Sequence, residues 1–394
     1  MASFRQRSCE LQQERTRQLQ SRMAESHIDV ALICDPGSVF YYSGYYGYLY
    51  MEFGRPTFLL IPRSGACSII TPTLEVEMAQ RTSWVDDVIP WLDGKNGEWR
   101  TPLAKKIEPF RSGTVGIERL EIPQIVLNTI EDEVKPSKLG DLSQAISEMR
   151  MIKSPEEIQV ARHTGEVAVA MAEGAVEATE QGLPEYELAL AMTAAGTRKA
   201  AEIIREHYDD PLLSPTLHFH QILASGSRVA MCHHRSTVKP IEYGDALFIC
   251  FCGIAEFHQF KLGFDRTFFV GRAKEQDLEL YEIAVRSQRA ALSAIRPGVT
   301  AEEVAAEYVE VIRAAGFEFP FRAGRSLGYS FNERPQLALG DKTVLQPGMV
   351  LAVDGAVNRP RVSRAQVGDS VLITDDGVEI LTPFSKELED ILLT

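Results

Sequence analysis

The chain has 394 residues, 45% of them hydrophobic and 24% charged, enough for two domains with sizeable cores. Its net charge of -14 argues against a nucleic-acid backbone or an anionic membrane surface as partner. No apolar run of about 18 residues marks a membrane span. Residues 1–25 carry charge throughout with no apolar signal core, so a cytoplasmic protein is expected.

In chain order, residues 4–26 alternate charged and apolar positions at helical spacing and predict an amphipathic helix. Val30-Ala31-Leu32-Ile33-Cys34 predicts a short strand ending in the turn Asp35-Pro36-Gly37. The segments 57–62 and 66–70 flank Arg63-Ser64-Gly65 as the two arms of a hairpin do. Residues 114–118 predict another strand. Strands alternating with helices give an α/β domain over residues 1–145. A second domain follows over residues 146–394. Ser154 is placed to cap a helix of about 156–180, with Pro155 at its first position and acids in its first turn. Another helix is expected over about 185–206, and Thr300 caps one running to about Ala315. The six cysteines lie scattered, mostly among apolar neighbours, the pattern of buried thiols rather than of a disulfide framework.

The chemistry is concentrated in later motifs. The stretch Gly244-Asp245-Ala246-Leu247-Phe248-Ile249-Cys250-Phe251-Cys252-Gly253, then Asp265-Arg266-Thr267-Phe268-Phe269-Val270-Gly271, reads as two strands joined by a hairpin. Beyond them come Gly324-Arg325-Ser326-Leu327-Gly328, Leu345-Gln346-Pro347-Gly348-Met349-Val350 and Val367-Gly368-Asp369-Ser370-Val371-Leu372-Ile373. In order and spacing these resemble the creatinase, prolidase and methionine aminopeptidase family, the pita-bread hydrolases. The resemblance implies an α+β second domain, a curved antiparallel sheet backed by helices. Most members of that family hold two metal ions with two Asp, one His and two Glu. The matching positions here are Phe251, Gly263, Arg325, Asp354 and Gly368, and no histidine occurs after His258. One carboxylate left of five ligands cannot hold two divalent ions, so neither a metal nor another cofactor is expected.

The metal-free, creatinase-like branch of the family implies roles for the residues that remain. His233 stands at the distance before Gly244-Asp245 where that branch carries its catalytic histidine; a one-residue gap would substitute His234. An imidazole titrates near neutrality and can pass a proton to a leaving nitrogen. The alternative is a His-His pair that caps a loop. Asp265 and Asp354 match two acids that grip a substrate guanidinium, a planar cation whose paired N–H groups suit carboxylates. The alternative for Asp265 is an ion pair with Arg266. Phe53 and Arg55 match a loop that reaches a neighbouring subunit's site, where Arg55 would bind a carboxylate; this implies a homodimer. The alternative there is a structural aromatic loop. His258 matches a substrate-facing tyrosine and Arg334 a second substrate arginine.

Arg325 adds a permanent positive charge where the metal-binding histidine stands in most relatives. With Arg55, and Arg334 or Arg364, it favours a substrate with two anionic groups or one larger than creatine. Asp265 and Asp354 favour a cationic or amidine-like group. The expected partner is thus a small zwitterionic or anionic molecule, and the expected activity metal-independent hydrolysis of a non-peptide C–N bond in an amidino, guanidino or cyclic amidine carboxylate. Four alternatives stand beside it: ectoine-type ring opening, a lyase acting on a zwitterionic solute, an inactive pita-bread binding protein, and a metallopeptidase with displaced ligands.

Overall fold

The structure is a computed structural model that describes residues 4–47, 55–94, 98–217, 222–251, 255–320 and 322–393. Two compact units make it up: Met1–Arg150 with Asp209–Leu212, and Met151–Tyr208 with Leu213–Thr394.

In the first unit, the amphipathic pattern at the start forms α1 (Phe4–Glu25). The apolar run that follows is β1 (Val30–Ile33), buried at all four positions. Helix α2 (Pro36–Ser43) starts where the sequence suggested a turn. The Asp35 carboxylate accepts the Ser38 N–H, and Pro36 occupies the first helical position. Strands β2 (Phe58–Pro62) and β3 (Ser68–Pro72) form the expected antiparallel hairpin, with Phe58 opposite Ile70. Then come α3 (Val76–Thr82), β4 (Asp87–Trp91), α4 (Arg100–Ile107), β5 (Thr114–Ile117), α5 (Gln124–Thr129), β6 (Lys138–Asp141) and α6 (Ser143–Met151). The strands lie in the order β4-β3-β2-β1-β5-β6. Alternate residues Val30, Leu32, Phe58 and Leu60 share one face of this sheet and pack with Leu103 of α4 and with Trp99, just before that helix.

The second unit opens on α7 (Pro155–Ala178), whose capping box joins Ser154 and Glu157 reciprocally. Helix α8 (Glu185–His207) packs along it. Next are β7 (Leu223–Ser225), β8 (Ala246–Cys250), the small hairpin of β9 (Glu256–Phe257) and β10 (Phe260–Lys261), and β11 (Asp265–Val270). Strands β8 and β11 pair directly, but the segment between them carries a hairpin of its own instead of a simple turn. Helices α9 (Glu275–Ala294) and α10 (Ala301–Ala314) follow, the latter capped by Thr300 and Glu303 as expected. Strands β12 (Gly324–Ser326), β13 (Glu333–Leu337), β14 (Val350–Arg359), β15 (Ser363–Ile373) and β16 (Val378–Ile380) complete the sheet with α11 (Leu388–Ile391) and β17 (Leu392–Leu393).

The strand order is β13-β12-β14-β15-β11-β8-β7, with β16 on β15 and β17 on β11. Along the main path neighbouring strands are antiparallel; β17 alone among the described strands of this sheet runs parallel to its partner. This is the expected antiparallel sheet backed by helices. Its two faces are told apart by Gly355, where a methyl group would stand 2.0 Å from the Ala284 carbonyl of α9. Gln288 of α9 likewise donates to the Val353 carbonyl and to Asp369. Side chains alternate along a strand, so Asp354, Gln366 and Gly368 belong to the face away from α9.

Candidate active site

Register brings the candidate residues together. Asp265 on β11 lies opposite Gly368 on β15, which lies opposite Asp354 on β14. Residues opposite each other across a ladder share a face, so both acids lean over a position that has no side chain. A methyl group at 368 would lie 2.6 Å from both Asp265 Oδ2 and Asp354 Oδ1. The two carboxyl groups are hydrogen-bonded to each other, and the contact requires a proton between them. Burial, then the neighbouring Asp265 charge, pushes Asp354 up to about 7 against the opposing pull of Arg325. Asp265 is fully buried and accepts a 2.7 Å hydrogen bond from Gln366 Nε2.

Arg325 on β12 is also buried. Its Nη1 lies 3.3 Å from Asp354 Oδ2, its Nε donates to the Phe331 carbonyl at 3.1 Å, and its guanidinium stacks 4.2 Å from the Phe331 ring centre. Gly263 lies beside it: a methyl group there would be in ordinary contact with Arg325 Nη2 at 3.8 Å and tight against the Ala352 methyl at 3.0 Å. Arg266 does not serve as the ion-pair partner of the Asp265 carboxyl. Adjacent strand residues face opposite ways, and its Nη2 meets Asp369 Oδ1 at 2.6 Å on the α9 face. From there Nη1 donates to the main-chain carbonyls of Asp265 and Gly368, which ties β11 to β15 at the row that carries the acids. Lys386 is also paired with Asp369.

The other expected residues are placed more loosely. His233 is exposed, in a turn beside the sheet edge: the Leu223 amide of β7 donates to the His234 carbonyl at 3.2 Å, and Arg235 bridges Ile222. The preceding turn, Gly226–Ala230, packs against β15. His258 forms, with Gln259, the two-residue turn of the β9–β10 hairpin, both at positive φ. Arg334 is exposed on the edge strand β13. Arg55 lies in the first unit, where Asp93 holds its Nε at 2.7 Å. Phe53 lies outside the described residues. Gln366, which escaped notice in the sequence, was detectable there: it stands two residues before Gly368, and a period of two puts both on one face.

The profile of metallopeptidase family M24 matches residues 159–375, and that of the creatinase/prolidase N-terminal domain matches residues 15–152. The chain belongs to metallopeptidase family M24. Among curated relatives it is 28% identical to an agropine synthesis cyclase of Rhizobium rhizogenes, over 96% of this chain and 97% of that one. It is equally 28% identical to a Xaa-Pro dipeptidase of Pyrococcus furiosus, covering 95% and 99%. The creatinase of Bacillus sp. (strain B-0618) is also 28% identical, covering 94% and 90%. Among solved structures, the prolidase from Pyrococcus horikoshii OT3 superposes with a TM-score of 0.80 at 25% identity over 95% of this chain and 99% of that one. M24 membership makes this an enzyme of a hydrolase family with a creatinase/prolidase fold.

The donors present do not fit the metal that the family name implies. Phe251 is an apolar ring stacked 5.3 Å from Phe264, and Gly263 and Gly368 offer no donor atoms. At 325 a buried cation stands beside Asp354, where it opposes a metal ion. Among the described residues no group of three or more His, Cys, Asp or Glu is placed to bind a metal.

Proposed function

We propose that this M24 member is a metal-independent hydrolase of a non-peptide C–N bond in a small amidino, guanidino or cyclic amidine carboxylate. One observation carries the reading: Asp265 and Asp354 converge over Gly368 where the family's metal ligands belong. Two converging carboxylates suit a planar cation, whose paired N–H groups replace the proton they share. Held there, the cationic carbon is polarised toward attack by water. His233 takes a proton from that water and returns it to the departing nitrogen, so the C–O bond forms as the C–N bond breaks. A homodimer completes the site, a second copy contributing Phe53 and Arg55 across the interface. The creatinase relative supports this substrate class.

The experiment is a turnover screen in the presence of a chelator, with guanidino acids, cyclic amidines and N-acyl amino acids. Urea release identifies amidino hydrolysis. Opening of a cyclic amidine with incorporation of labelled water identifies ring hydrolysis, and product formed without incorporation identifies a lyase. The Xaa-Pro dipeptidase relatives favour a second reading, peptide hydrolysis. Cleavage of an Xaa-Pro dipeptide that depends on added Mn or Co and stops in chelator establishes that reading and refutes ours.

A further inference from the structure

Arg364 lies four residues before Gly368 on β15 and shares its face. Its Nη2 donates to Gln366 Oε1, and the other end of that amide, Nε2, donates to Asp265 Oδ2. A continuous polar row thus runs Arg364–Gln366–Asp265–Asp354–Arg325. Arg325 is matched by Asp354 and Arg55 by Asp93. Arg364 is different: among the described residues no acid pairs with it, and its Nε is buried without a hydrogen-bond partner. Its guanidinium is 5.9 Å from the Phe248 ring centre, on the β8 side of the row. A guanidinium carries five donors, and one left buried without an acceptor is costly.

We propose that Arg364 is a carboxylate subsite and that the molecule recognised is a short zwitterion, its cation on Asp265–Asp354 and its carboxylate on Arg364. The proposal rests on the cation-binding reading of the acid pair. One primary amide and two hydrogen bonds bridge the two subsites, a span of roughly 7 Å. That length suits a carboxylate one or two carbons from a guanidino or amidine nitrogen. A longer substrate overshoots Arg364 unless Gln366 turns aside.

Calorimetric titration of the full chain at constant ionic strength, in chelator, tests this with three probes. Guanidinoacetate carries both groups, methylguanidine the cation alone and acetate the anion alone. The expected result is guanidinoacetate binding about tenfold or more tighter than methylguanidine, one charge-assisted contact's worth. In Arg364→Gln that preference disappears and acetate binding is lost, while methylguanidine affinity is kept. Arg364→Lys keeps the charge without the fork and recovers part of the preference. Guanidinoacetate no better than methylguanidine in the unmodified protein overturns the subsite, as does a preference that survives Arg364→Gln. A preference abolished instead by Arg55→Gln assigns the carboxylate to Arg55 and also overturns it. Methylguanidine failing to bind defeats the cation reading alone; acetate binding that depends on Arg364 then still supports the anion subsite.

Discussion

Replacing Asp354 by Asn should remove the fall in stability that the protein shows as pH rises from about 4 to about 7. An ordinary aspartate titrates near 3.8, and burial beside Asp265 pushes Asp354 up to about 7. Between those values the folded protein keeps a proton that the unfolded chain has released. The unfolded state then binds fewer protons, so stability falls as pH rises from about 4 to about 7 and stays low above that. A gap of roughly three units is worth about 4 kcal/mol at about 1.36 kcal/mol per unit. The Asn variant escapes that penalty but removes the 3.3 Å partner of the buried Arg325, which costs about 3–5 kcal/mol. The two effects are of similar size at pH 8, and near pH 4 only the loss remains, so the variant should gain on the parent protein by up to about 4 kcal/mol as pH rises from 4 to 8. Urea unfolding of both proteins at pH 4.5, 6, 7 and 8 measures it. Parallel stability profiles would refute the shared proton.

Four further outcomes follow from the same geometry. Gly368→Ala puts a methyl group 2.6 Å from both acids and must separate them, so infrared titration of the carboxylic acid band should move from about 7 toward the ordinary aspartate range. Binding of methylguanidine should release a proton, and its affinity should rise as pH climbs through about 7, because the pair must ionise to accept a cation; flat affinity across that range contradicts the mechanism. His233→Ala should slow turnover about 100- to 10,000-fold with His234→Ala less affected, and undiminished turnover in His233→Ala would remove it from the acid-base role. Although burial raises it, Asp369 is held below the usual aspartate range by Arg266 and Lys386. Its contribution is therefore present above the ordinary aspartate range and lost as pH falls through its depressed titration; Asp369→Asn should lower stability by about 3–5 kcal/mol at pH 7, read by urea unfolding.

What could be read in the chain was what depends on near neighbours. Ser154 and Thr300 announced their helices because a capping box is closed within four residues. The β2–β3 hairpin was visible because its turn residues stand between two apolar runs. The Asp35-Pro36-Gly37 turn was half read, since Asp-Pro also caps a helix, and α2 followed. Strand order was beyond reach: β12 is three residues long, and it pairs with β14 across an intervening strand and loop. The meeting of Asp265 with Asp354 depends on that order. The resemblance named both acids, but only the register over Gly368 puts them in contact. Arg266 illustrates the same limit, because its neighbour in sequence is Asp265 and its partner in space is Asp369.

The substitutions at the M24 metal positions are best understood together. Glycine at 368 removes a side chain that would collide with Asp265 and Asp354 as they now stand. At 263 a methyl group would press to 3.0 Å on the Ala352 methyl, and Arg325 supplies the charge that keeps Asp354 from rising further. A single reversion should therefore fail: Gly368→Glu adds a third acid against a pair that already shares one proton, with Arg325 still opposing a metal ion. Restoring metal binding should require Gly368→Glu, Gly263→Asp and Arg325→His together. Mn uptake by elemental analysis measures it: none in the single variants, and at most one ion in the triple variant, because Phe251 still denies the second a ligand. Stoichiometric Mn in Gly368→Glu alone would show that these positions are not interdependent.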